Sequence, residues 1–217
     1  PPRRGPIPPS DFIPISETSG LIVQLGLFAM QRAAEDLADW ERQLGDLAIS
    51  VSVNLSSRQL LRRDLVSDVR SVVQKAGIKP RCFRLELTES LVMDNPEQSA
   101  HVLSQLKKLG IGLSIDDFGT GYSSLSYLTR FPFDTIKIDK SFLDDPSPKR
   151  GVLLKSIVGM AHDLGMAVIA EGVADERDAL ELRQMGCEFA QSYMYGVPLA
   201  PDAALRALKG QVPATQA

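Results

Sequence analysis

Short β-branched runs alternate with segments of helical period along this chain, and few folds satisfy that alternation. The first run is "LAISVSVNLS" at 47–56. "SSRQLLRRDLVSDVRSVVQKAG" follows, with Leu61, Leu65, Val69, Val72, Val73 and Ala76 at helical spacing. Ser56 and Gln59 form a capping-box pattern, and Gly77 is a stop. "CFRLELTES" at 82–90 reads as a strand, and "NPEQSAHVLSQLKKLG" as a helix with Asn95 as N-cap, Pro96 at its first position and Gly110 at its end. The spacing then predicts strand 111–116, a short helix near 122–129, strand 134–139, helix 149–164, strand 166–171, helix 175–185, strand 187–190 and helix 201–209. Strands that are each followed by a helix imply an α/β fold with a parallel sheet. An open doubly wound sheet and a closed eight-stranded barrel both satisfy the pattern. No Gly-rich dinucleotide fingerprint follows an early strand, which weighs against the open sheet.

The N-terminal stretch departs from the alternation. "PPRRGPIPPSDFIP" reads as a Pro-rich loop leading into a helix from Glu17 to Trp40, with Leu21, Leu25, Phe28, Ala29 and Ala33 on one face. No strand precedes that helix, so an eight-stranded barrel would be two strands short. The 217 residues also fall below the length usual for that fold, about 250. The chain is expected to be a fragment or an open barrel: one domain over 1–209, then a disordered tail over 210–217. A net charge of −3 offers no basic footprint for duplex DNA or an anionic membrane. No apolar run approaches the ~20 residues of a membrane span, and the N-terminus has no signal-peptide pattern. The two cysteines, Cys82 and Cys187, read as small buried hydrophobes of a reducing, cytoplasmic compartment. The two histidines, His101 and His162, fall on expected helices and argue against a zinc site.

The chemistry lies at the strand ends. Side chains two apart on a strand share a face. Asn54 therefore sides with Ser50 and Ser52, Glu86 with Arg84 and Thr88, Asp116 with Ser114, and Lys137 with Asp139. Glu171 and Gln191 end the last two strands. The opposite faces carry Val51 and Val53, Leu85 and Leu87, Leu113 and Ile115, Ile136 and Ile138, which suit burial under helices. Taken singly, these polar groups have plainer explanations: a strand-end Asp or Asn caps a helix or forms a turn, and Lys137 pairs with Asp139. Together, Glu86, Asp116, Asp117, Asp139 and Glu171 would meet one lysine at the C-terminal rim, where barrels carry their active sites. Clustered carboxylates raise each other's pKa unless cations neutralise them. Oxygen ligands without His or Cys select Mg²⁺ or Mn²⁺, and adjacent Asp116 and Asp117 suit a two-metal site for phosphoester hydrolysis.

"SVNLSSRQL", "LELTES", "SIDDFGTGYSSLSYL", "IKIDKSF", "VIAEGV" and "GCEFAQSYMYGVPL" occur in one order, after "GPIPPSDFIPISETSGLI". In these motifs the chain resembles the EAL domain family of bacterial cyclic-di-GMP phosphodiesterases over nearly its whole length. The resemblance implies a TIM-like (β/α)8-type barrel that hydrolyses cyclic-di-GMP to linear pGpG with Mg²⁺ or Mn²⁺. By matching motif, Asn54, Glu86 and Asp116 would be metal ligands, Asp116 bridging, and Asp117 would serve the second metal. Lys137 would hold the attacking water or the developing charge. Asp139 and Glu171 would complete the catalytic set, Glu171 as ligand or base. Gln191 and Asn54 would contact substrate, and Glu89 would pin the loop that begins at Asp116.

The resemblance also implies a homodimer, with GGDEF or sensor domains in the parent protein, which could itself be membrane-anchored. The Glu-Ala-Leu motif of the family is not in this sequence, so the expectation is that the first barrel strands are absent from the chain. Ala174 stands where many members have Glu, and Ser192 where Gly is common. The alternative function is a cyclic-di-GMP receptor without catalysis. The intact "DDFGTGYSSL" and Lys137 favour the enzyme.

Overall fold

The structure, a computed structural model, describes residues 7–45, 49–120 and 128–210. Among these, six parallel strands form one sheet: β1 (Val51–Asn54), β2 (Phe83–Thr88), β3 (Gly112–Phe118), β4 (Thr135–Ile138), β5 (Ala167–Glu171) and β6 (Phe189–Gln191). Their spatial order is their chain order, β1-β2-β3-β4-β5-β6. A doubly wound sheet must reverse direction at a switch point, and this one does not. Right-handed crossovers that always step the same way put every helix on one face and leave the other face bare. That is the construction of a barrel wall. β1 and β6 are its two edges and do not pair with each other, so the wall is open here.

The helix-facing side chains of the sheet form the core. Leu85, Leu87, Leu113, Ile115, Ile136, Ile138 and Val168 are fully buried there, each contributing roughly 1.5–3 kcal/mol of burial. Helices α4 (Leu65–Ala76), α6 (Pro96–Lys108), α7 (Arg150–Asp163) and α8 (Glu176–Met185) supply Val69, Leu103, Leu154 and Leu182 to it. Asn95 caps α6 through Gln98 N–H, and the capping box of Ser56 and Gln59 forms. Cys82 and Cys187 are free thiols, only half buried, packed against the core's margin.

Several expectations change. The Pro-rich stretch is helical from Pro9 on: α1 spans Pro9–Ser19 and α2 Ile22–Leu44, so the single helix from Glu17 to Trp40 is two helices broken at Gly20 (φ +80°). Pro9 is tolerated because the first helical residues have no intrahelical acceptor for an N–H. Pro14 inside α1 costs one backbone bond, while Ser16, Thr18 and Ser19 donate their hydroxyls to carbonyls three or four residues back. The helix expected after Ser56 is also two, α3 (Ser57–Leu60) and α4. The periodicity overreached at Leu61, which is 49% exposed. Helix α5 (Glu89–Asp94) is one short stretch whose six residues are too few to display a period. Helix α9 (Pro201–Leu208) ends the described chain. Most of the helix expected near 122–129, and the tail after Gly210, lie outside the described residues.

Candidate active site

The bare face of the sheet gathers the polar side chains. Lys137, at the middle of β4, is 3% exposed. Its Nζ donates to Glu86 Oε2 of β2 at 2.9 Å and lies 3.1 Å from Asp116 Oδ1 of β3 and 2.7 Å from Glu171 Oε1 of β5. Four strands thus deliver one ammonium and three carboxylates to one point. Three acids around one cation leave the group with excess negative charge.

β3 ends differently from the expectation that Asp117 has left the strand. The strand continues to Phe118, with its register to β4 shifted between Ile115 and Phe118, and Asp117 sits at φ +52°. This left-handed kink is a β-bulge that lets consecutive acids serve one site. Asp116, Asp117 and Glu171 each place an oxygen within 4.8 Å of the others. Asp117 N–H donates to Asp116 Oδ1 at 3.1 Å. Glu89, 2% exposed, accepts from Gly119 N–H through Oε2 at 3.0 Å and so fastens the chain just past the kink. Gly119 itself has φ +91°, and a Cβ there would lie 2.4 Å from the Phe142 ring.

The charges register this crowding. Burial, then Asp116 and Asp139, raise the Asp117 pKa above its ordinary value. Burial raises that of Glu171, against the opposing effect of its hydrogen bond to Lys137. For Lys137, burial disfavours the charge, but hydrogen bonds to Glu171 and Glu86 outweigh it and hold the ammonium protonated. Asp139 is lowered, first by a hydrogen bond from the Ser141 side chain, and it also accepts from Ser141 N–H at 3.0 Å. A divalent cation relieves the conflict between buried acids that resist ionisation and a site that collects them. The donor oxygens of Asp116, Asp117 and Glu171, with no His or Cys among them, fit Mg²⁺ or Mn²⁺.

The remaining expected residues are Asn54, Glu86 and Gln191. Asn54 is exposed at the end of β1, with its Cα paired to Glu86, and makes no hydrogen bond to Lys137 among the described residues. Glu86 is in the lysine cluster but not in the three-acid group. Gln191, exposed at the end of β6, pairs with Glu171, and its carbonyl accepts from Gly172 N–H at 2.8 Å. Beside them opens a cavity of about 540 Å³ lined by Asp139, Lys140, Glu171, Gln191 and Tyr193. Sequence reasoning put Arg84 on the inner face but gave it no role. Arg84 Nη1 donates to Thr135 Oγ1 at 2.8 Å, a contact between strands 51 residues apart that no local pattern signals.

The family model described as EAL domain matches residues 2–198. The signaling protein YkoW of Bacillus subtilis (strain 168) is 41% identical over 197 residues, covering 90% of this chain and 24% of that protein. The cyclic di-GMP phosphodiesterase NbdA of Pseudomonas aeruginosa is 40% identical over 206 residues, covering 94% of this chain and 26% of NbdA. The chain thus spans about a quarter of the length of these curated relatives. The structure of PaMucR phosphodiesterase in complex with c-di-GMP matches with a TM-score of 0.89 at 35% identity, over 94% of this chain and 83% of that one.

Proposed function

Because this chain belongs to the EAL domain family, we propose that it hydrolyses cyclic-di-GMP to linear pGpG at the rim centred on Lys137, with Mg²⁺ or Mn²⁺ held by its carboxylates. The observation that carries the reading is the convergence of Glu86, Asp116 and Glu171 on Lys137 Nζ, with Asp117 turned toward the same point. NbdA is named a phosphodiesterase of this dinucleotide, and PaMucR is described in complex with it.

In the reaction one water adds to phosphorus, one P–O3′ bond breaks, and the freed 3′-hydroxyl takes up a proton. Asp116, Asp117 and Glu171 would hold the cations, with Asn54 and Glu86 completing the ligand set. Bound divalent ions supply a lowered water pKa and a clamp on the attacking and leaving oxygens. Lys137, kept charged by its carboxylates, orients the water or stabilises the charge that develops on the phosphoryl oxygens. Glu171, whose pKa burial raises, would serve as a metal ligand or, where it is not one, as the base that takes the proton of the water. Asp139 and Gln191 line the neighbouring cavity, where the dinucleotide would lie. Glu89 fixes Gly119 and with it the kink at Asp117. The protein would act in the cytoplasm as a homodimer, with GGDEF or sensor domains in its parent; among the described residues no helix is long and apolar enough to cross a membrane.

The test is turnover of cyclic-di-GMP by the purified protein in Mg²⁺, followed by separation of the products. Accumulation of pGpG is expected. Tight dinucleotide binding with no pGpG would refute catalysis and leave a receptor.

A further inference from the structure

We propose that Arg84 is a positioning residue for this site: its side chain ties β2 to β4 across β3, one layer beneath Lys137, and sets where the Glu86 carboxylate and the Lys137 ammonium meet. The proposal rests on the site assignment above, but its main readout does not require turnover.

Two links cross the sheet in parallel. Glu86 and Lys137 form the upper one, at 2.9 Å. Arg84 and Thr135, two residues earlier on the same two strands and therefore on the same face, form the lower one at 2.8 Å. Both skip the intervening strand. The lower link is possible because β3 is cut away beneath it. Gly112 is the Cα partner of Arg84, and a Cβ there would lie 2.6 Å from Arg84 Cγ. Gly112 is not in the left-handed region, so the glycine provides space and not backbone freedom. Ser114, next on that face, is fully buried and pairs through its Cα with both Glu86 and Thr135. Its Oγ has no partner among the described residues, so it does not compete for Thr135.

Arg84 makes no ion pair with a carboxylate among the described residues; its partner is the neutral hydroxyl of Thr135, which is 2% exposed. A residue needed only to fill space there could be any long stem. A guanidinium instead offers a fixed fork of donors and a permanent charge under a cluster of acids. Hydrogen bonds behind a metal's ligands orient those ligands, and losing one costs affinity.

Arg84→Met keeps the stem over Gly112 and removes the donors; Thr135→Val keeps the shape and removes the acceptor. Each should weaken Mn²⁺ binding about tenfold by calorimetry, and lower kcat while leaving KM for the dinucleotide near the wild-type value. Arg84→Lys should recover part of the loss. Gly112→Ala should weaken Mn²⁺ binding by pushing the stem aside, yet add nothing in an Arg84→Ala background, where Cγ is gone. The proposal is overturned if Arg84→Met and Thr135→Val lower only the melting temperature and leave Mn²⁺ affinity unchanged. It is equally overturned if the wild-type protein binds no Mn²⁺. Mn²⁺ binding without pGpG would instead defeat the phosphodiesterase reading, while the affinities still decide the role of Arg84.

Discussion

Replacing Lys137 tests whether the site is a charge-balanced cluster. In Lys137→Met the side-chain volume is nearly kept and the cation is removed. Glu86, 7% exposed, then loses its hydrogen-bond donor, and Asp116 and Glu171 lose the cation that lies within 3.1 Å and 2.7 Å of them. Removing one partner of a buried ion pair costs about 3–5 kcal/mol, because the other charge stays buried without compensation. For a domain of this size that is a fall in Tm of roughly 6–20 °C. The experiment is thermal and urea unfolding of both proteins in EDTA, repeated with millimolar Mg²⁺. In EDTA near neutral pH the variant should lose the full amount. At lower pH it should lose less, since Glu171, whose pKa burial already raises, then takes up a proton. Mg²⁺ should restore part of the loss by supplying a new cation. A variant as stable as the wild type in EDTA at neutral pH would refute the reasoning, for it would mean that the three acids do not carry charge around Lys137.

Glu171 and Asp117 both have folded-state pKa values raised by burial above 4.5 and 3.8 respectively. Such groups favour folding fully below the unfolded pKa, and that contribution is lost as pH rises through the folded value. The metal-free protein should therefore lose stability relative to Glu171→Gln as pH rises above about 4.5; a pH-independent difference in Tm would count against it. At Asp117, φ is +52°, which Asn tolerates and Ala does not. Asp117→Asn should abolish turnover with the fold intact, whereas Asp117→Ala should cost about 1–2 kcal/mol more in urea unfolding. Equal stability of the two would deny the kink. A Cβ on Gly26 would lie 2.0 Å from Gln59 Nε2, so Gly26→Ala should expel a side chain that is 3% exposed and break the Ser56 cap, at about 1–3 kcal/mol. An unchanged unfolding midpoint would show that Gln59 has room to move. Ca²⁺, which takes more oxygens at longer distances, should support dinucleotide binding without pGpG formation; turnover in Ca²⁺ equal to that in Mg²⁺ would remove the argument for Mg²⁺ or Mn²⁺ at these carboxylates.

What was legible in the sequence was whatever repeats locally. β2 and β4 could be bounded closely because Leu85, Leu87, Ile136 and Ile138 alternate with Glu86 and Lys137. Helix α6 carried its own cap and stop. The place of Glu89 beside the loop after Asp116 came from the family resemblance and not from any local repeat; Glu89 accepts from Gly119 N–H. Three things were not legible because their causes lie elsewhere in the chain. α1 runs through Pro14, where local propensity argues for a loop. The bulge that keeps Asp117 in β3 depends on its register with β4. The membership of each acid in a cluster depends on strand stagger: alternation placed Glu86 and Glu171 on one face without saying that Glu171 joins Asp116 and Asp117 while Glu86 does not.

The sequential strand order explains why the polar residues could be so concentrated. A sheet that reverses direction has helices on both faces and must make both apolar. Here the strands follow one another in chain order, so Val53, Leu85, Leu113, Ile136 and Val168 are the side that packs into the core with the described helices. The other face is free to carry Arg84, Glu86, Ser114, Asp116, Thr135, Lys137 and Glu171 at the same period of two. Burying that many polar groups costs free energy unless they are paired. The cross-sheet links from β2 to β4 do the pairing, and each passes over β3 at a residue with little or no side chain, Gly112 or Ser114. β3 must therefore be small at its start, where the links cross, and acidic at its end, where they stop. "GLSIDDF" has that gradient on its inner face, from Gly112 through Ser114 to Asp116, and the kink at Asp117 adds the second acid before the chain leaves the sheet.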